Sequence, residues 1–171
     1  EKTVGKNDHI IIIGYGISGQ LLTSSLRSLS IETVVLEMNS DNVRLGRERG
    51  DPVYYADATS EEALGHAHLK SCRAVVVMIN DHAATERVLA SINRLDGNIS
   101  IFVRTQYMTG IEDFRKFKPA GIVSCEIEGG LEVLSQVLRK LEVPRNVIIK
   151  EVDHARSQTM HSDREFKESP L

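Results

Sequence analysis

The chain has 171 residues, of which 41% are apolar, and its formal net charge is −3. This length and composition suit one domain with a core of its own, followed by a tail. The mixed charges form no basic stripe along which a phosphodiester backbone would bind, so we expect no nucleic-acid partner.

The ends of the chain differ from its middle. The first residues, EKTVGKNDH, contain neither a signal segment nor an initiator Met, and no apolar run approaches the roughly 20 residues that cross a bilayer. We therefore expect a soluble fragment of a longer protein. Residues 1–8 are predicted to be a linker, residues 9–143 the domain, and residues 144–171 a linker or loosely docked tail, because the apolar pattern thins after Pro144.

Short apolar runs alternate with stretches of helical periodicity throughout the domain. Strands are predicted at 10–13, 33–36, 52–55, 74–79, 99–103 and 121–123. Helices are predicted at 17–29, 43–49, 61–66, 84–95, 111–117 and 127–141. Runs such as AVVVMI are apolar on both faces, as a strand covered by helices on both sides requires. The sequence thus predicts a Rossmann-like α/β fold, a doubly wound parallel six-stranded sheet with helices on both faces.

A glycine-rich stretch, GYGISG, follows the first strand and opens the first helix. In this context Gly14 is predicted to make the tight turn, Gly16 to let the backbone approach a phosphate, and Gly19 to let the helix pack close to the strand. Free N–H groups and the positive end of the helix dipole would then face the anion. The pattern predicts a nucleotide site.

An acidic residue ends the second strand, about 20 residues after the loop, where ribose hydroxyls are bound in this fold. In VVLEMNSD this residue is Glu37, and Met38 beside it joins the predicted binding set. A carboxylate at this point repels a 2′-phosphate, which disfavours an NADP-type ligand.

Polar residues also follow the third, fourth and fifth strands, at the edge where this fold binds ligands. Asp57 and Ala58 are candidates for the adenosine pocket, with helix capping an equal alternative for Asp57. Asn80 and Asp81 are candidates for the same pocket, although capping is favoured for both. Arg104 would bind a phosphate or a partner subunit, or else form a surface ion pair.

Neither catalysis nor metal binding is indicated. No GxSxG, HExxH or similar constellation is present, and His82, which alone of the histidines is near a strand end, is interpreted as solvated or capping. Cys72 and Cys125 lack any ligand spacing, so small buried thiols are favoured over redox sensors. We predict no catalytic residue and no metal site.

The last predicted helix carries an apolar seam. Its members, at alternating spacings of four and three, are Ile127, Leu131, Leu134, Leu138 and Leu141. Two heptads are too few to define a coiled coil, so packing on the sheet and a dimer contact remain equal alternatives.

The segments DHIIIIGYGISGQ, VVLEMN, PVYYADATSEEAL, RAVVVMINDHAAT and IFVRTQY, taken together and in this order, resemble the potassium-transport nucleotide-binding domains called KTN, TrkA-N or RCK N-terminal domains. The resemblance covers about residues 8 to 143 and is strongest to the versions attached to Kef-type monovalent cation:proton antiporters of bacteria. One departure is Ala56, where many relatives have Gly before the DAT motif.

The resemblance implies a regulatory domain on the cytoplasmic face of the bacterial inner membrane. It implies a homodimer or higher ring, attached to a membrane transporter domain, that gates transport when NAD(H), AMP, ADP or ATP binds. It places the loop residues Tyr15, Ile17 and Ser18 on the phosphate side with the three glycines, Glu37 on the ribose, and Asp57 with Ala58 at the adenosine end. MINDHAATE lacks the carboxylate set with which some channel relatives bind calcium.

The complete predicted binding set is Gly14, Tyr15, Gly16, Ile17, Ser18, Gly19, Glu37, Met38, Asp57, Ala58, Asn80 and Arg104. Two other functions stay open at this point. One is an NAD-dependent oxidoreductase, or its nucleotide-binding subunit, with the substrate residues on a missing partner. The other is an assembly module whose permanently bound nucleotide only holds a dimer together.

Overall fold

The computed structural model describes residues 7–165, and the side chains through residue 159. The strands are β1 (Ile10–Ile13), β2 (Thr33–Glu37), β3 (Val53–Tyr55), β4 (Ala74–Val77), β5 (Ser100–Thr105) and β6 (Gly121–Ser124). The helices are α1 (Ile17–Ser28), α2 (Ser40–Glu48), α3 (Glu61–His66), α4 (His82–Leu95), α5 (Thr109–Arg115), α6 (Cys125–Lys140) and α7 (Arg145–Glu165), with a short 3₁₀ turn at Leu69–Ser71.

The six strands form one sheet in the order β3-β2-β1-β4-β5-β6. The pairs β1–β2, β1–β4, β2–β3 and β4–β5 are parallel, with Ile10 opposite both Thr33 and Ala74. This order reverses direction between β1 and β4, and the crevice beyond the carboxyl ends of those two strands is where the Rossmann fold binds its ligands. The predicted fold class is confirmed.

Side-chain alternation along the strands divides the core into two clusters, one on each face. Ile11 and Ile13 belong to the larger cluster, which includes residues of α3, α4 and α5. Ile12 belongs to the smaller one, with Val35 and residues of α1 and α2. Because both faces are covered, the strands have the continuous apolar character from which the sequence predicted them.

Two features shift the predicted boundaries. β4 ends at Val77, so Met78 and Ile79 lie beyond the strand and line the turn opposite the glycine loop. α2 begins at Ser40 because Asn39 caps it, accepting from the N–H groups of Asp41 and Asn42 at 2.9 and 3.1 Å.

A second compact unit contains α6 and α7. Most of the segment predicted to be a linker or loosely docked tail, residues 144–171, is the helix α7, which was not predicted. α7 packs on α6, and Arg156 donates to both carboxylate oxygens of Glu128 at 3.0 Å. Among the residues of α7 whose side chains are described, Ile148 is the only buried apolar one. Because so little of this helix is buried, its sequence shows little of the apolar periodicity that predicts a helix. The limits of the predicted domain, 9–143, stay a prediction, and residues 1–6 and 166–171 lie outside the described part of the chain.

The apolar seam predicted for α6 is divided between buried and exposed positions. Ile127 and Leu131 are buried, whereas Leu141 is 67% exposed. An overlapping stripe, formed by Val133, Val137 and the seam residue Leu141 at intervals of four residues, is at least half exposed. The exposed apolar face of α6 is therefore this valine stripe, which shares only Leu141 with the predicted leucine seam.

Candidate functional site

The turn after β1 requires a glycine at its first position. Gly14 has φ +103°, in the left-handed region, and a Cβ there would lie 3.2 Å from the backbone carbon of Met78 and from the side chain of Ile79. The N–H of Gly14 donates to the carbonyl of Leu36 at 2.9 Å, which fixes the loop over the end of β2. Gly14 thus makes the tight turn that the sequence predicts.

The second and third glycines have opposite surroundings. A Cβ on Gly19 would come far closer than 3.0 Å to the carbonyl oxygen of Gly14, so α1 lies directly against the turn. Nothing lies within 4 Å of a Cβ on Gly16, which is exposed and is the N-cap of α1. In the described part of the chain no side-chain hydrogen bond caps α1 and its first turn contains no acid, so no side chain there competes with an anion for the helix N–H groups and positive dipole end.

The three other loop residues do not share one environment. The side chain of Tyr15 is fully buried, and its hydroxyl bonds to Asp51. Ile17 is 88% exposed and Ser18 is half-buried. The side chain of Tyr15 turns into the core, so only its backbone lies at the loop. The placement of the three residues on the phosphate side stays a prediction.

Glu37 lies against the glycine loop. Its Oε2 accepts from the backbone N–H of Tyr15 at 2.6 Å, and its Oε1 accepts from the N–H of Asn39 at 2.7 Å. The carboxylate is half-buried at the end of β2, while Met38 next to it is 56% exposed. A fixed negative charge and an exposed apolar side chain therefore stand side by side next to the loop, in the place predicted for a ribose.

Asp57 and Ala58, after β3, point in different directions. Asp57 is exposed and closes a turn by accepting from the N–H and hydroxyl of Thr59 at 2.9 and 2.7 Å, and these hydrogen bonds lower the pKa of its carboxyl. Ala58 is buried in the larger core cluster. Its methyl group therefore packs in the core, and the N-cap position of α3 is Ser60, whose side chain makes no capping hydrogen bond, rather than Asp57.

Asn80 and Arg104 meet at the ends of β4 and β5. The Arg104 guanidinium donates to the side-chain oxygen of Asn80, and to the carbonyl of Met78 at 3.0 Å. The neighbouring Asp81 caps α4 by accepting from the N–H of Ala84 at 2.5 Å. The capping prediction is confirmed for Asp81, whereas Asn80 instead holds the arginine at the ligand edge of the sheet.

The residues with chemical reactivity do not converge on the loop. His82 lies 3.2 Å from a carboxylate oxygen of Asp113 and stacks on Phe114 at 4.7 Å, so it is neither simply solvated nor a cap. Cys72 and Cys125 are half-buried rather than buried, and burial raises the pKa of the Cys72 thiol to about 11. Within the described residues, no group of three or more His, Cys, Asp or Glu side chains is placed to hold a metal ion.

Three residues that the sequence did not single out complete the surroundings of the loop. Gln20 donates to the carbonyl of Tyr15 at 3.1 Å, Asn39 supplies the second N–H to Glu37, and Asp51 receives the tyrosine hydroxyl. A capping residue type two positions after the acidic strand end is the signal that could have indicated Asn39. Gln20 reaches Tyr15 from the first turn of α1, five residues along the chain, but no motif marks it, whereas Asp51 is brought to Tyr15 only by the tertiary fold.

A crossover between β1 and β4, a GxGxxG turn opening α1, and an acid at the end of β2 define a Rossmann-type domain that carries the nucleotide-binding fingerprint. The TrkA-N domain model matches residues 10–124. The chain belongs to this family.

The chain is also similar to individual proteins. The chain is 28% identical over 161 residues to K(+) efflux antiporter 1, chloroplastic, of Arabidopsis thaliana, covering 94% of this chain and 14% of that protein. The TrkA-N domain of the inner membrane protein YbaL of Escherichia coli aligns with a TM-score of 0.72 and 26% identity, over 78% of this chain and 98% of that one. The Kef C-terminal domain of Shewanella denitrificans in its AMP-bound form aligns with a TM-score of 0.77, 16% identity and 90% and 94% coverage, and this likeness shows the fold. The chain thus spans about one seventh of the length of the antiporter. No helix in the described part is long and apolar enough to cross a membrane.

Proposed function

We propose that this chain is the nucleotide-sensing regulatory domain of a monovalent-cation transporter, of the K⁺-efflux antiporter type, on the cytoplasmic face of a bacterial inner membrane. Its ligand is NAD(H) or an adenosine nucleotide, AMP, ADP or ATP. Ligand occupancy changes the relative stability of two arrangements of a dimer or ring, and the attached membrane domain responds to the difference. The antiporter relative and the AMP-bound Kef structure support this proposal.

The observation that carries the proposal is the open amino end of α1 beside Glu37. Gly16 leaves the helix N–H groups and dipole accessible to a phosphate, and the Glu37 carboxylate stands next to the same loop to accept from ribose hydroxyls. Asp57, Asn80 and Arg104 lie at or just beyond the carboxyl ends of β3, β4 and β5, at the edge of the sheet that would receive the rest of the ligand.

The state of the candidate acid–base groups agrees with a sensing role rather than an enzymatic one. General acid–base catalysis needs a side chain within hydrogen-bond reach of the reacting atoms. Here His82 is engaged with Asp113 and stacked on Phe114, and the Cys72 thiol has a raised pKa. The chemistry available at the loop is therefore binding, through N–H donors and a carboxylate acceptor.

Nucleotide binding is expected to raise the melting temperature. A ligand at about 100 times its Kd adds about 2.7 kcal/mol to the free energy of unfolding, which corresponds to about 5–10 °C for a chain of this size. Gly16→Asp is expected to abolish the increase, because it places a carboxylate where the phosphate would bind and its Cβ meets nothing within 4 Å in the fold. Thermal unfolding with AMP, ADP, ATP, NAD⁺ and NADH in turn measures this.

The matched control is Gly65→Asp, which makes the same change in open space on α3. It is expected to keep the wild-type response to every nucleotide. If millimolar concentrations of all five compounds leave the wild-type melting curve unchanged, nucleotide sensing is wrong. Oxidation of NADH by the domain with a test acceptor would instead support an oxidoreductase.

The homodimer in this proposal is supported by the exposed valine stripe of α6. Val133 and Val137 are 62% and 50% exposed, and a monomer exposing such a stripe would leave apolar area in water. Val137→Lys is expected to shift the protein from dimer to monomer in light scattering, while Gln136→Lys, an exposed polar neighbour, leaves the mass unchanged. If the Val137→Lys variant has the same mass as the wild type, either the dimer contact does not include this stripe or the wild type forms no dimer.

A further inference from the structure

A buried polar network lies beneath the glycine loop. The Tyr15 ring is fully buried, and its hydroxyl donates to Oδ2 of Asp51, which is itself 6% exposed. The other carboxylate oxygen of Asp51 accepts from the Arg27 guanidinium at 2.6 Å. A buried carboxylate is stable only when its oxygens are paired, and here both are.

The network returns to the loop by a second route. Arg27 also donates to the carbonyl of Arg49 at 3.0 Å, and the Arg49 guanidinium donates to Oε1 of Gln20 at 2.6 Å. The amide nitrogen of Gln20 donates in turn to the carbonyl of Tyr15. One closed series of hydrogen bonds therefore fixes both the carbonyl and the hydroxyl of Tyr15, and Glu37 fixes its N–H.

The neighbouring helix is shaped to admit the tyrosine. Gly46 lies in the interior of α2, where glycine lowers helix stability, and a Cβ there would come within 3.0 Å of the Tyr15 ring. Burial, together with the hydrogen bond to Asp51 and its charge, raises the pKa of Tyr15 to about 12. The hydroxyl therefore keeps its proton and stays a donor to Asp51 throughout the neutral pH range.

We propose that Asp51 is a positioning residue for the nucleotide phosphate, which acts through the Tyr15 hydroxyl to hold the backbone of the glycine loop in its binding conformation. Tyr15 stands between Gly14 and Gly16, so a shift of its ring moves the N–H groups that follow it. This inference rests on the proposed nucleotide binding. Backbone donors hold an anion only while they keep their geometry, and misplacement by a fraction of an ångström weakens binding.

The test measures the Kd of AMP and of adenosine by calorimetry for the wild type, Tyr15→Phe, Asp51→Asn and the double variant. Each single change is expected to weaken AMP binding by about ten-fold, as loss of an indirect partner commonly does. Adenosine, which lacks the phosphate, is expected to bind within about two-fold of the wild type. Because the two residues act as one unit, the double variant is expected to bind AMP no worse than the weaker single variant.

The control is His9→Ala, which removes a fully buried side chain that bonds to the carbonyl of Ala67, at the opposite end of β1 from the loop. It is expected to lower stability without changing either Kd. If Asp51→Asn does not fold, the result for Tyr15→Phe, which keeps the ring, decides the test. Wild-type AMP affinity in that variant, or an equal loss for adenosine, overturns the positioning role while nucleotide binding stands. A wild type that binds no nucleotide overturns both.

Discussion

Gly19→Ala is expected to lower the free energy of unfolding by about 3 kcal/mol, at the upper end of the cost of overpacking a core. A Cβ at this position would collide with the carbonyl oxygen of Gly14, which is backbone and cannot turn aside. The helix cannot move away without loss, because Thr23 is buried and Leu22 packs against the core cluster beneath α1. Urea unfolding followed by circular dichroism measures the change.

The control for this prediction is Gly65→Ala in α3, where nothing lies within 4 Å of the added methyl group. Alanine there is expected to raise the free energy of unfolding by up to about 1 kcal/mol, because it favours the helix over the unfolded chain. Equal unfolding midpoints for the two variants would show that α1 does not lie against the turn as closely as the structure indicates.

The parts of the fold that follow from local pattern were predictable from sequence. Strands such as AVVV in β4 are apolar on both faces, and only burial under two helical layers requires that. The glycine spacing predicted the turn at Gly14 and the close packing at Gly19, because both roles depend on the missing Cβ alone.

The features that the sequence did not predict depend on which way side chains turn, and which helices pack together, in the tertiary structure. Tyr15 stands in the loop and looks ligand-facing in the pattern, but Gly46 and Asp51, far along the chain, make a place for its ring in the core. Ala58 is buried for a similar reason, since the core cluster takes its methyl group. α7 was not predicted because its apolar content is low, and its contacts with α6 include the ion pair between Arg156 and Glu128.

In the proposed nucleotide site, the carboxylate at the end of β2 is expected to discriminate between NAD⁺ and NADP⁺. Both Glu37 oxygens already accept from backbone N–H groups, of Tyr15 and Asn39, so the carboxylate is fixed in place. A fixed negative charge attracts ribose hydroxyl donors and repels a 2′-phosphate at the same position. Selectivity between NAD⁺ and NADP⁺ therefore reports on this residue directly.

Glu37→Gln is expected to weaken NAD⁺ binding by about ten-fold or more, because a neutral amide has one acceptor oxygen for two backbone donors and its hydrogen bonds to ribose are weaker. It is also expected to reduce the preference for NAD⁺ over NADP⁺ by a similar factor, since the repulsion of the 2′-phosphate is lost. Calorimetric Kd values for both ligands give the two quantities.

Asp41→Asn is the control, since it neutralises an exposed acid in the first turn of α2 that pairs with Arg44. It is expected to leave the NAD⁺-to-NADP⁺ ratio unchanged. The ratio of the two Kd values separates ligand recognition from folding. A general loss of stability weakens the binding of both ligands by the same factor, so it does not change the ratio. If Glu37→Gln weakens both ligands equally, the carboxylate only supports the loop through its bonds to Tyr15 and Asn39, and ribose recognition must lie with another residue at this edge of the sheet.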